Sequence, residues 1–178
     1  AIDIAFVENS LRKSLVVDGF VVYVKGRFDR VDRLVNEETE AQLIIDYKTG
    51  TSPINSSYTI KKAQELVHDL LAADLDLAGL EILRKSISNM QLPCYLFLAD
   101  QPALAEYQLI TERNASQRFV PFITAKKSKN HSSQIQANLD ASMQFAKEHL
   151  PVIMNYLSRH ILSAHEFIPC QDQTICQY

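Results

Sequence analysis

The sequence predicts an α/β domain: a mixed β-sheet built on an antiparallel meander, with helices on its faces. Three observations carry that expectation. Residues 15–17 and 20–24 are valine- and aromatic-rich runs that flank Asp18-Gly19. An Asp-Gly pair between two such runs is the strongest short-range hairpin signal. Residues 43–48 (Leu-Ile-Ile-Asp-Tyr-Lys) form another apolar run after an all-polar break at 36–40, which reads as a further strand. The other long segments carry apolar residues every three or four positions, the helical period.

In chain order, residues 6–24 form the hairpin, and its second arm continues through 26–33 as one long strand. Gly26 marks a bend or a close backbone approach. Strand 43–48 then completes a meander of at least three strands. Residues 50–57 turn to Thr, Ser, Pro and Asn and form a loop. Ile60, Ala63, Val67, Leu70 and Leu71 predict a helix over 58–73, its far end made acidic by Asp69, Asp74 and Asp76. A second helix spans 89–99. Residues 105–111 alternate and form a strand; 118–124 form another, which Pro121 assigns to an edge. From Ile135 to Ile161 the apolar spacing is three or four throughout, so the last long element is a helix, kinked or restarted at Pro151. Residues 167–178 are a non-helical tail.

A chain of 178 residues, 47% apolar and 22% charged, fits one domain with a sizeable core. The formal net charge of −3 excludes a histone-like, charge-driven binder of nucleic acid. It leaves room for an enzyme that grips a polyanion through one local basic surface. No apolar run approaches the roughly 20 residues a membrane span needs, and no signal peptide is visible. Three cysteines are too few and odd in number for a disulfide framework, which predicts a reducing, cytoplasmic setting. The chain opens at Ala1 without a Met and closes two residues after Cys176; it is expected to be a piece of a longer protein.

Chemistry concentrates at Asp29, Asp46 and Lys48. Alternate side chains of a strand share a face, so Asp46 and Lys48 point one way and Tyr47 the other. If strand 26–33 pairs beside strand 43–48, the Asp29 and Asp46 carboxylates converge to within about 5 Å, close enough to share one hard cation. Charges at the end of an apolar strand are costly to bury unless they pair or bind metal. Mg²⁺ takes oxygen ligands, usually one or two carboxylates with water and a substrate phosphate. Lys48 would then hold the attacking water or stabilise the charge that builds on phosphate. The plain alternative is an exposed Asp–Lys pair on an edge strand, worth little to stability.

Gly26-Arg27-Phe28-Asp29-Arg30-Val31-Asp32 and Ile45-Asp46-Tyr47-Lys48-Thr49-Gly50 resemble the second and third active-site motifs of the PD-(D/E)XK nuclease superfamily. Gln91-Leu92-Pro93-Cys94-Tyr95 resembles the Gln-x-x-x-Tyr motif of its RecB-like branch, the nuclease domains of bacterial helicase–nucleases. The three motifs follow in the family's order. The resemblance implies a restriction-endonuclease-like fold and Mg²⁺- or Mn²⁺-dependent, exonuclease-type hydrolysis of DNA in repair or recombination. By the same resemblance Asp29, Asp46 and the main-chain oxygen of Tyr47 hold the metal, Lys48 acts on the water, and Gln91 and Tyr95 touch substrate. DNA and a helicase domain or subunit are the implied partners. Two alternatives share these motifs: an inactive DNA-binding or structural domain that keeps the fold, and a RecB-like nuclease of CRISPR adaptation.

The family also uses an acidic residue or histidine on a preceding helix as a further ligand. Glu8 offers itself but lies on a strand; otherwise that helix lies outside this chain. Some RecB-like nucleases close an iron–sulfur cluster after the last helix, and Cys176, or less fittingly Cys170, resembles its opening cysteine. Two cysteines do not supply four thiolates, so a 4Fe–4S cluster is expected in the full-length protein only. This chain alone is expected to fold yet cleave weakly. Lys61 and Lys62, and the cluster Lys126, Lys127 and Lys129, are either phosphate contacts or solvated surface. His68 reads as a surface residue and Cys94 as an inert core thiol.

Overall fold

Asp18 and Gly19 both hold positive φ, 49° and 83°, the backbone that a two-residue type I′ turn demands. They join β1 (Asp3–Val17) to β2 (Phe20–Val35) as a long antiparallel hairpin. The computed structural model describes residues 3–35, 40–49, 58–87, 89–110, 118–125 and 131–163. Strand β3 (Glu40–Thr49) runs antiparallel to β2, from Val35 opposite Glu40 to Arg30 opposite Ile45. It then pairs in parallel with β4 (Ala103–Ile110), and β5 (Arg118–Pro121) closes the edge antiparallel to β4. The order β1-β2-β3-β4-β5 is the expected mixed sheet on a meander. Strand β5 stops at Pro121, three residues sooner than the sequence suggests.

A parallel pair needs a long crossover, and three helices supply it: α1 (Ile60–Ala72), α2 (Leu77–Ser86) and α3 (Gln91–Leu98). Thr59 caps α1 by accepting from the Lys62 amide. Helix α2 stands where the sequence reading has no element. Its start was legible in Asp76, whose carboxylate accepts the Gly79 N–H at 3.0 Å, and its end in Arg84 and Lys85. Helix α3 begins at Gln91 because the Asn89 side chain takes the Gln91 amide at 2.8 Å. Pro93 sits in its first turn, where a missing N–H costs nothing.

The last element restarts near Pro151 as expected. Helix α4 (His131–Gln144) passes through a π turn (Phe145–His149) into α5 (Leu150–Ser163). The Leu150 N–H donates back to Phe145 O, and this wider turn makes room for a proline that has no N–H to give and a ring that would crowd an α turn. Among the described residues no helix is long and apolar enough to cross a membrane.

The two sheet faces differ in kind. On one, Val31, Ile44, Ala105 and Tyr107 pack under Ala63 and Leu66 of α1 and Leu92 of α3. On the other, Leu43 and Leu104 meet Ile135 and Leu139 of α4, and a polar row follows. There Arg30 grips Asp32 with two hydrogen bonds of 2.6 and 2.7 Å, although Asp32 is only 3% exposed. Glu106 lies beside them, and burial, with the Asp32 charge second, pushes its carboxyl up to about 7.

That shift fixes a sign. From about pH 4.5 to about pH 7 the folded chain keeps a Glu106 proton that the unfolded chain releases, so stability falls as pH rises through that window. Glu106→Gln cannot ionise. Its thermal midpoint, relative to the parent, should rise steadily across the same window in melts followed by circular dichroism. Parallel pH profiles for the two proteins would contradict the assignment.

Candidate active site

The apolar run of β3 carries Asp46 into the interior. Ile44 and Ile45 are buried on either face of the sheet, and the next residue follows them to 2% exposure. Lys48, two residues on, shares its face, and the Lys48 Nζ lies 2.6 Å from Asp46 Oδ2. The lysine side chain remains 36% exposed, so its ammonium bridges the buried carboxylate and the surface. The β2–β3 ladder ends with Arg30 opposite Ile45. Where the next rung would be, Asp29 Oδ2 accepts the Tyr47 N–H at 2.9 Å. A side-chain carboxylate thus replaces a backbone acceptor, which sets Asp29 beside the peptide linking Asp46 to Tyr47.

Helix α3 completes the site. Gln91 Oε1 accepts from Lys48 Nζ at 2.8 Å, while its Nε2 donates to Asp46 Oδ1 at 2.6 Å and to the Tyr95 hydroxyl at 2.9 Å. Tyr95 directs its own proton toward the Arg27 carbonyl at 2.9 Å and Asp46 Oδ1 at 3.2 Å. Gln91 and Tyr95 are four residues apart and so share a helix face. Their polar groups are engaged with the Asp46–Lys48 pair and the β2 backbone. Burial pushes the Tyr95 phenol up to about 12, so it stays a neutral donor.

Close approach of α3 depends on Gly26. A Cβ there would stand 2.6 Å from Leu98 Cδ1 and 3.4 Å from the Tyr95 ring. Phe28 meets the same ring edge-on, with centroids 4.8 Å apart.

Tyr107 is a member the sequence reading missed. It lies opposite Asp46 in the parallel β3–β4 register, and Lys48 Nζ stands 5.4 Å from its ring centre. Its hydroxyl is buried with no hydrogen-bond partner among the described residues. Burial and the nearby Asp46 charge raise its pKa.

The two Asp46 oxygens are unequal. Oδ1 is saturated by Gln91 and Tyr95, whereas Oδ2 meets the Lys48 ammonium at 2.6 Å and, among the described residues, no other donor. Burial raises the Asp46 carboxyl pKa, Lys48 opposes the shift, and Asp29 adds to it. A buried carboxylate oxygen in that state, with the Asp29 carboxylate close enough to act on it, suits a hard cation. Among the described residues no group of three or more His, Cys, Asp or Glu side chains is placed to hold a metal.

The remaining predicted residues disperse. Glu8 lies between Val7 and Asn9, which pair with Arg30 and Phe28, and so stands level with Asp29. It has a positive φ of 53°, and its exposed carboxylate pairs with Arg27 at 2.5 Å. Lys61 is exposed and lies 3.6 Å from Glu65; Lys62 and His68 are exposed as well. Burial raises the Cys94 thiol pKa, as an inert thiol requires. Lys126, Lys127, Lys129, Cys170 and Cys176 lie outside the described residues.

Comparison with known proteins bears on this constellation. No curated protein matches the sequence. Among solved structures, the crystal structure of SSO0001 aligns over 92% of this chain and 52% of its own, with 14% identity and a TM-score of 0.37. This chain therefore spans about half the length of that protein. The sequence profile of the PD-(D/E)XK nuclease superfamily matches residues 2–178. With that match over nearly its whole length, the chain belongs to the PD-(D/E)XK nuclease superfamily.

Proposed function

We propose that this chain hydrolyses phosphodiester bonds of DNA with the help of a divalent ion of the Mg²⁺ type, Mn²⁺ being the natural substitute. The observation that carries the reading is Asp46 Oδ2, a buried carboxylate oxygen that among the described residues meets the Lys48 ammonium at 2.6 Å and no other donor. Asp29, Asp46 and the main-chain oxygen of Tyr47 would hold the ion. Such an ion lowers the pKa of bound water and offsets charge on the phosphate. Lys48, partly exposed, holds the attacking water and counters negative charge on the phosphorus oxygens. In the reaction a water oxygen bonds to phosphorus, one P–O ester bond breaks, and the departing oxygen takes a proton.

Gln91 and Tyr95 keep Asp46 and Lys48 in register through the hydrogen bonds described above, and Gln91, half-buried at the start of α3, would be the one to reach substrate. This set, at the spacing of the Gln-x-x-x-Tyr motif, favours the RecB-like branch. An exonuclease in DNA repair or recombination, working beside a helicase in the cytoplasm, goes with that placement. A non-catalytic DNA-binding domain is the second reading, favoured by the lack of a third acidic or histidine ligand among the described residues.

Cleavage of a labelled oligonucleotide in Mg²⁺ separates the two. The parent should cut, EDTA should stop it, and Asp46→Asn should be inactive. Lys48→Ala should lose at least on the order of 10²-fold in rate with the fold retained. A parent that binds DNA but never cleaves it would favour the second reading. Tyr95→Phe tests the positioning network separately. Removal of the hydroxyl leaves the bonds to the partly buried Arg27 carbonyl and to Asp46 unmade, which should cost about 1–3 kcal/mol of unfolding free energy in urea. Unchanged stability would show that the phenol is idle.

A further inference from the structure

The hairpin that leads into the site has an outer face of unusual composition. Residues directly opposite on antiparallel strands share a face, and the register sets Tyr23 opposite Ser14, Lys25 opposite Arg12, and Arg27 opposite Ser10. All of these are exposed, Tyr23 at 52%. The intervening residues Leu11, Val24 and Phe28 turn the other way and join the core. The Arg12 guanidinium stacks 3.6 Å above the centre of the Tyr23 ring. On this face the described residues offer three cations, Arg12, Lys25 and Arg27, against two acids, Glu8 and Asp29, both at the end nearest the site, in a chain whose net charge is −3.

The row points at the catalytic strand. Arg27 is two residues from Asp29, and same-face side chains along a strand are about 6.7 Å apart. Arg27, Lys25 and Tyr23 therefore step away from Asp29 at intervals suited to a phosphate backbone. Tyr95 anchors the near end of the row through the Arg27 carbonyl. A solvated strand face would have no reason to segregate its cations around an exposed aromatic ring. Interleaved cations and aromatics are what a protein uses to track an unpaired strand, with charge on the backbone and stacking on bases.

We propose that the outer face of the β1–β2 hairpin, through Arg12, Tyr23, Lys25 and Arg27, is a track for an unpaired DNA strand leading into the Asp29–Asp46 site. The cations hold phosphates, and Tyr23 stacks on a base while Arg12 covers its other face. Only the direction of the strand toward the site rests on the nuclease reading; binding to the hairpin does not.

The test is fluorescence anisotropy of the whole chain with a fluorescein-labelled single-stranded oligonucleotide, in Ca²⁺ and over a range of salt. Arg12→Ala/Lys25→Ala should weaken binding at least tenfold, and should flatten the slope of log affinity against log salt by about 1.4. Tyr23→Ala should weaken it roughly 5- to 100-fold. All three substitutions lie on the solvent face, so circular dichroism should be unchanged. A parent that binds while the variants match it in affinity and salt slope would overturn the track and assign the face to a protein partner or to solvent. The nuclease reading would survive that result, since cleavage in Mg²⁺ is read separately. Variants that bind weakly, from a parent that never cleaves, would support the track and sink the nuclease reading instead. A parent with no affinity for DNA would overturn both.

Discussion

Burial of the Asp46 carboxylate is the constraint to which the surrounding structure answers. An ionised group this far from water costs several kcal/mol unless partners replace its hydration. Four features supply the replacement. Lys48 brings an opposite charge from the same face of β3, and Gln91 and Tyr95 each bring one hydrogen-bond donor from α3. The absence of a side chain at Gly26 lets α3 come close enough to do so. Each partner is held by another: Gln91 touches both Lys48 and Tyr95, and Tyr95 ties the group to the β2 backbone. A carboxylate is thus fixed in one orientation without filling all its acceptor sites.

That asymmetry connects fold to chemistry. A purely structural ion pair would be expected to close both oxygens with hydrogen bonds, as Arg30 does for Asp32 on the opposite face of the same strands. Asp46 instead leaves Oδ2, among the described residues, with the Lys48 ammonium contact alone. The two faces of one sheet hold buried aspartates of opposite character, one sealed by a bidentate arginine and one left open beside a partly exposed lysine. Asp29 sharpens the contrast, because its negative charge adds to the pressure on Asp46 rather than relieving it. Repulsion between neighbouring carboxylates is what a bound cation relieves.

Local chemistry made much of this legible. Asp18-Gly19 specified its turn, strand alternation put Lys48 beside Asp46, and the spacing of Gln91 and Tyr95 put both on one helix face. What escaped depended on pairing between distant segments. Tyr107 enters the site only through the parallel register of β3 with β4, and nothing in either strand announces that register. The partners of Gln91 were hidden for the same reason, since the approach of α3 to β2 turns on a single missing Cβ. Helix α2 was lost because its capping Asp76 read as the acidic tail of α1. Arg12 and Lys25 are thirteen positions apart, so the basic face they build does not register as a cluster until the hairpin closes.

The central claim is that Asp46 is held open for a cation, and calorimetric titration of Mn²⁺ into the whole chain tests it most directly, because it needs no catalysis. The account predicts one ion bound per chain, an affinity at least tenfold weaker in Asp46→Asn, and binding retained in Lys48→Ala. Equal Mn²⁺ affinity for the parent and Asp46→Asn would contradict it.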